Sequence, residues 1–271
     1  MINPLEQFLL LPQFLQASGV FLFGLMLGSF SNVCIHRIPR GESVVSPGSH
    51  CVSCNAAVRS FDNIPLLSYL ILKGQCRNCG VRFSWVYPFI EFITALLIVA
   101  SFYRFGWSWE FAIFTVVGPA LVVITVIDLQ HKIIPNLITL PGIPLCLIAG
   151  IYLEGTSSAL WGLVAGSGLF LLIGEIYYRM RGEIGMGMGD VKYIAAAGAL
   201  LGWQKIFLVI FIAALIGSIV GVLGMVNKKL TGASQIPFGP FLAAGTLVAF
   251  FWGDALIHLY LSSLAPGYPA L

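Results

Sequence analysis

An all-α polytopic membrane protein of about eight transmembrane helices, with one small zinc-ribbon-like domain between the first two, is the fold class this sequence predicts. Three observations predict it. The 271-residue chain is 58% hydrophobic and only 9% charged, where soluble domains carry about 25% charged residues. Its apolar residues gather in runs close to the length a bilayer needs, about 20 residues with a range near 17–25. One polar stretch, 35–84, interrupts these runs near the start and holds four of the six cysteines. Mean hydropathy is +0.94. The formal charge of +3 is too small and too scattered for a nucleic-acid partner, so the expected surroundings are the lipid bilayer and no nucleic acid.

The apolar runs cover residues 14–34, 85–102, 109–128, 136–153, 158–178, 190–201, 205–226 and 238–261. The sixth is short and rich in Ala and Gly. Small residues let helices approach closely, so it reads as a tightly packed span or as a piece that merges with the seventh. Glu6 precedes the first run, and the first basic residues, Arg37 and Arg40, follow it. That order describes no secretory signal peptide and places the N-terminus outside. Threaded from there, the cytoplasmic pieces are 35–84, 129–135, 179–189 and 227–237, and they hold 11 of the 14 Lys and Arg residues, including Lys228 and Lys229. An even number of spans sends the C-terminus outside as well. The predicted division is a first helix over 1–34, a cytoplasmic zinc-binding domain over 35–84 and a membrane core over 85–271.

The extramembrane stretch is too small to rely on a core alone. It carries Cys51-Val-Ser-Cys54 and Cys76-Arg-Asn-Cys79. Two thiolates from one tight turn occupy two corners of a tetrahedron and a second turn supplies the others, so paired CxxC knuckles predict structural zinc. A cytoplasmic position argues against disulfides. Four thiolates leave no open position for catalysis. Cys34 and Cys146 fall in spans as small packing residues.

Asp128 ends the apolar run 121–128, and Asp190 ends Gly187-Met-Gly-Asp190, a GxGD element. An ionisable group at membrane depth costs about 2.5–3.5 kcal/mol on insertion scales and marks a candidate functional site. The threading puts both carboxylates at cytoplasmic helix ends. Two close carboxylates share a proton, the arrangement of an aspartic protease, and the glycines would admit an extended substrate backbone beside Asp190. Taken alone, Asp190 also reads as a helix cap. Pro135 should start the helix after Asp128. His131 and Lys132 read as ordinary basic-side residues; Lys192 lies within a span, and an electrostatic influence of Lys132 or Lys192 on the pair is an alternative role. Glu91, inside the second run, either supports the site or pairs with an arginine, and Glu175 is similar. Asp254 and His258, four apart, read as a structural pair.

These elements together resemble the bacterial type IV prepilin peptidases, the leader peptidase/N-methyltransferases of GxGD type. The resemblance rests on Gly28-Ser-Phe-Ser-Asn-Val-Cys-Ile-His-Arg-Ile-Pro39, the two cysteine pairs, Asp62-Asn-Ile-Pro-Leu-Leu-Ser-Tyr69, Tyr87-Pro-Phe-Ile-Glu91, Asp128-Leu-Gln-His-Lys-Ile-Ile-Pro135 and Gly187-Met-Gly-Asp-Val-Lys192. It covers nearly the whole chain. It implies that Asp128 and Asp190 are catalytic, and that the substrates are type IV prepilins or type II secretion pseudopilins. It further implies leader removal on the cytoplasmic side of the bacterial inner membrane, then methylation of the new N-terminus from S-adenosylmethionine. No spacing reveals the methyl-transfer site, since Gly185 to Gly189 follows a polar loop and not a strand. Two other classes use the same residues differently: a secondary transporter with the aspartates as a proton relay, or a zinc-dependent assembly scaffold without chemistry.

Overall fold

The computed structural model describes residues 11–183, 185–227 and 236–264. Glu6, Lys228, Lys229 and both chain ends, to which the charge pattern assigns a side, lie outside the described residues. Among the described residues, the regular structure is helical. The helices are α1 (Gln13–Arg37), the short α2 (Leu67–Ile71), α3 (Val86–Phe105), α4 (Trp109–His131), α5 (Asn136–Glu154), α6 (Thr156–Arg181), α7 (Met188–Val226) and α8 (Gly239–Leu264). Seven are long and apolar enough to cross a membrane. In lipid every backbone N–H and C=O must bond within its own segment, which is why apolar runs of this length become helices. The chain is a multi-pass membrane protein.

It divides into two compact units, Met1–Val123 and Ile124–Leu271, with the division inside α4. In the first unit α1 packs on α3 through small residues. A Cβ on Gly24 would lie 2.6 Å from the Ala95 Cα, and one on Gly28 the same distance from the Glu91 Cα. Between these helices, isolated bridges His50–Ala57 and Gln75–Arg82 close two small knuckles.

In the second unit α7 is the centre, packed against α5, α6 and α8. Its backbone leaves helical geometry at Gly202, with φ 78° and ψ 172°. A methyl group on Gly166 would meet both the Ile194 carbonyl oxygen and the Ile206 side chain at 3.0 Å. Twelve residues of straight helix would separate those two by about 18 Å, so the chain doubles back at Gly202. The sixth and seventh apolar runs are therefore the two arms of α7, and the eight runs fall on seven long helices. The first arm, about 21 Å long, is packed as its composition predicts: Ala199, Leu200 and Ile194 are almost wholly buried, and Gly150 and Gly162 bring α5 and α6 against the Ala199 and Gly198 carbonyls.

Side-chain bonds fix the relative directions of α5 and the first arm of α7. Lys192 Nζ donates to Asn136 Oδ1 at 2.8 Å, joining the starts of α5 and α7. At the far end Lys205 Nζ bonds Glu154 Oε1 at 2.7 Å and Asp254 Oδ2 at 2.8 Å. Asp254 thus pairs with Lys205 and not with His258, because the turn at Gly202 carries Lys205 to the end of α5 and alongside α8.

Candidate functional site: two carboxylates and four thiols

Asp128 lies in the last turn of α4 and is 4% exposed. A helix C-terminus is an unfavourable place for an anion. The carboxylate is compensated by another helix: the Gly239 amide, at the start of α8, donates to Asp128 Oδ2 at 2.8 Å. A Cβ on Gly239 would stand 2.8 Å from that oxygen, so the approach requires glycine. Leaving Asp128, the chain turns through Lys132, whose φ is 56°, and whose amide bonds the Asp128 carbonyl at 2.8 Å. Ile134 then packs on Gly189, where a Cβ would come within 3.0 Å of the Ile134 Cβ. This contact brings the GxGD element to the end of α4.

Asp190 occupies the first turn of α7. Gly187 is the residue that caps this helix, and no side chain makes the capping hydrogen bond; the cap is not the role of Asp190. Its carboxylate folds back over Gly187, where a Cβ would lie 3.0 Å from Oδ2. The two carboxylates are near enough to interact electrostatically; Asp190 lies in the first turn of its own helix, and Asp128, at the C-terminal end of α4, accepts the amide at the start of α8. One turn further along α7, the buried Tyr193 hydroxyl meets Thr246 Oγ1 of α8 at 2.8 Å, fixing α7 against the helix that holds Asp128. Pro135 immediately precedes α5 as its cap. His131 and Lys132 are exposed.

Sequence reasoning missed Gly239. The signal available was Pro237-Phe-Gly-Pro240, a turn followed at once by an apolar run, but nothing local tied it to Asp128.

In the first unit the thiols of Cys51, Cys54, Cys76 and Cys79 all lie within 4.8 Å of one another. Cys51 and Cys79 sulfurs are 3.8 Å apart. Zinc–sulfur bonds of about 2.3 Å make a tetrahedron with edges of about 3.8 Å, so this donor set fits the ion and could bind it. The knuckles match residue for residue. Cys51 N–H bonds the Ala56 carbonyl and Asn55 N–H the Cys51 carbonyl; Cys76 N–H bonds Val81 and Gly80 N–H bonds Cys76. Asn55 and Gly80 hold equivalent left-handed positions, φ 55° and 71°. The Asn78 side chain and the Ala56 amide hold the Cys54 thiol down to about 6, the ionised form a metal needs. Arg77 clamps Asp62 with two bonds of 2.8 and 2.6 Å; its guanidinium beside Asp62 keeps that carboxyl below its ordinary value. Glu91 pairs with no arginine among the described residues. Its Oε2 accepts the Leu66 amide at 2.8 Å. Glu175 pairs with Arg179 one turn away.

Comparison with known proteins agrees with these two units. The model of the bacterial Peptidase A24 N-terminal domain matches residues 22–105, and that of the type IV leader peptidase family matches residues 113–222. The chain is 36% identical to the prepilin leader peptidase/N-methyltransferase of Aeromonas salmonicida, over 91% of this chain and 94% of the relative. It is 35% identical to the protein so named in Bacillus subtilis, over 90% and 97%, and 33% identical to that of Pseudomonas aeruginosa, over 89% and 91%. No solved structure gives a significant match. With identity at this level along nearly all of its length, the chain belongs to the type IV leader peptidase family and is a membrane enzyme.

Proposed function

We propose that this chain removes the leader peptide of type IV prepilins or type II secretion pseudopilins and then methylates the new N-terminus. Cleavage is assigned to Asp128 and Asp190. One carboxylate takes a proton from water as it attacks the scissile carbonyl and the other protonates the departing amine, the division of labour that a proton-sharing pair allows. The protonation state belongs to the pair. The observation that carries this reading is the convergence of Asp128, Asp190 and the Gly239 amide at one end of the second unit. Carboxylates at helix ends suit a peptide bond presented at the membrane surface, which the excess of Lys and Arg assigns to the cytoplasmic side of the inner membrane. Both termini then face the periplasm.

Methyl transfer forms a bond between the substrate amine nitrogen and the methyl carbon as the carbon–sulfur bond of S-adenosylmethionine breaks; the amine sheds its proton and S-adenosylhomocysteine leaves. Zinc held by Cys51, Cys54, Cys76 and Cys79 folds the 35–84 domain without entering the chemistry. The test is co-expression of a prepilin with and without this chain, followed by N-terminal mass analysis. A shortened, methylated product only when the chain is present is the expected result. An unprocessed precursor in both samples would refute the function.

A further inference from the structure

Arg37, near the end of α1, is only 7% exposed. Its guanidinium donates to the Ser43 and Gly48 carbonyls at 2.9 and 3.2 Å. Those oxygens satisfy hydrogen bonds but do not neutralise the charge, and among the described residues Arg37 makes no ion pair with a carboxylate. Buried arginines are ordinarily paired. Glu91 on α3 is the opposite case, a half-buried carboxylate held by the Leu66 amide and by no cation. The two line the same cavity of about 210 Å³, without forming a salt bridge to each other. The cavity's remaining carboxylates are committed or outlying: Asp62 is held by Arg77, and Glu42 is exposed. A neighbouring cavity of about 330 Å³ shares Arg37 and Asn63 and adds apolar walls from Met26, Phe30 and Val45.

We infer that these adjoining cavities bind the methyl donor, with Arg37 receiving its carboxylate and Glu91 its cationic end. This rests on the methyl-transfer reading above and gives it a place. An unpaired cation and an unpaired carboxylate across one cavity are complementary to a zwitterion bearing an amino-acid head. A methyl donor of the sulfonium class is such a molecule, and its nucleoside part suits the apolar neighbour. The combined space falls in the range of small-molecule sites. All the lining residues lie in the first unit, whereas the aspartates lie in the second.

The experiment uses the purified full-length chain in detergent. S-adenosylmethionine binding is measured calorimetrically for wild type, Arg37→Gln and Glu91→Gln, with Arg59→Gln, an exposed arginine of the same unit, as control. Glu91→Gln keeps an oxygen for the Leu66 amide. Melting temperature and metal content report folding. Affinity at least tenfold weaker in both cavity variants, and wild-type affinity in Arg59→Gln, is expected. Binding within twofold of wild type in folded Arg37→Gln and Glu91→Gln, alongside methyl transfer by wild type, would place the donor elsewhere and overturn the inference while sparing the methyl-transfer reading. A wild-type chain that neither binds the donor nor methylates a pre-cleaved pilin would sink that reading itself. Should Arg37→Gln fail to fold, ultraviolet cross-linking of labelled S-adenosylmethionine to wild type decides. Label in residues 26–63 or 87–91 supports the site, and label confined to the second unit overturns it.

Discussion

The Gly239 amide reaches Asp128 across 111 residues of chain, and that single bond sets which carboxylate oxygen remains free. Substituting Gly239→Ala puts a methyl group 2.8 Å from Oδ2, so either the carboxylate or the start of α8 must move. Misplacement of a catalytic group by about 1 Å costs on the order of a hundredfold in rate. We expect Gly239→Ala to lower the cleavage kcat by about ten- to a hundredfold with little change in melting temperature; wild-type kcat would show that the bond does not position Asp128. The two aspartates were legible in the sequence because a charge ending an apolar run is conspicuous. Gly239 was not, since a contact between the end of one helix and the start of another leaves no local pattern. Glu91 was singled out in the sequence, but its lack of a cationic partner, like the lack of an anionic partner at Arg37, emerges only once α1, α3 and the knuckles are assembled.

The two cysteine knuckles were legible because C-x2-C spacing is itself the geometry of a metal turn. We expect one zinc per chain. Cys54→Ser or Cys76→Ser should lower metal content and loosen the 35–84 segment first, as read by hydrogen exchange; well-folded wild type without stoichiometric metal would refute the zinc. The sign of the pH dependence follows from Cys54. The Asn78 side chain lowers the Cys54 thiol from its ordinary value, so its thiolate is favoured as pH rises and lost as pH falls. A metal ligand must be deprotonated, so protons compete with zinc and zinc retention should decline on acidification, measured by a released-metal dye. Gly202 belongs to the same scale. Composition left the sixth apolar run either a tightly packed span or a piece of the seventh, and only the backbone shows the reversal between them. With φ 78° and ψ 172°, Gly202→Ala should destabilise the protein by on the order of 1–3 kcal/mol, seen as a lower melting temperature in detergent; an unchanged value would mean that the turn tolerates a side chain.

At the scale of the whole molecule, the aspartates fall in one unit and the thiols and the Arg37–Glu91 cavity in the other. Methylation needs alignment of an amine with a sulfonium methyl group, and no carboxylate pair of the kind that hydrates an amide. Asp128→Asn and Asp190→Asn enzymes should therefore still transfer labelled methyl to a pre-cleaved pilin; loss of transfer in both folded variants would show that the reactions share the carboxylates. The apolar runs and their charged flanks made the membrane architecture readable, because lipid imposes length and composition on every span. The packing order around α7 was not readable, since it is set by glycines at helix crossings that resemble glycines elsewhere in the chain. The most direct test is cleavage of a purified prepilin by wild type, Asp128→Asn and Asp190→Asn, each matched for melting temperature, with the product N-terminus read by mass spectrometry. Each variant should lose at least about a thousandfold in rate, as expected when half of an acid–base pair is removed. Cleavage at the wild-type rate by either folded variant would contradict the assignment of the chemistry to this pair.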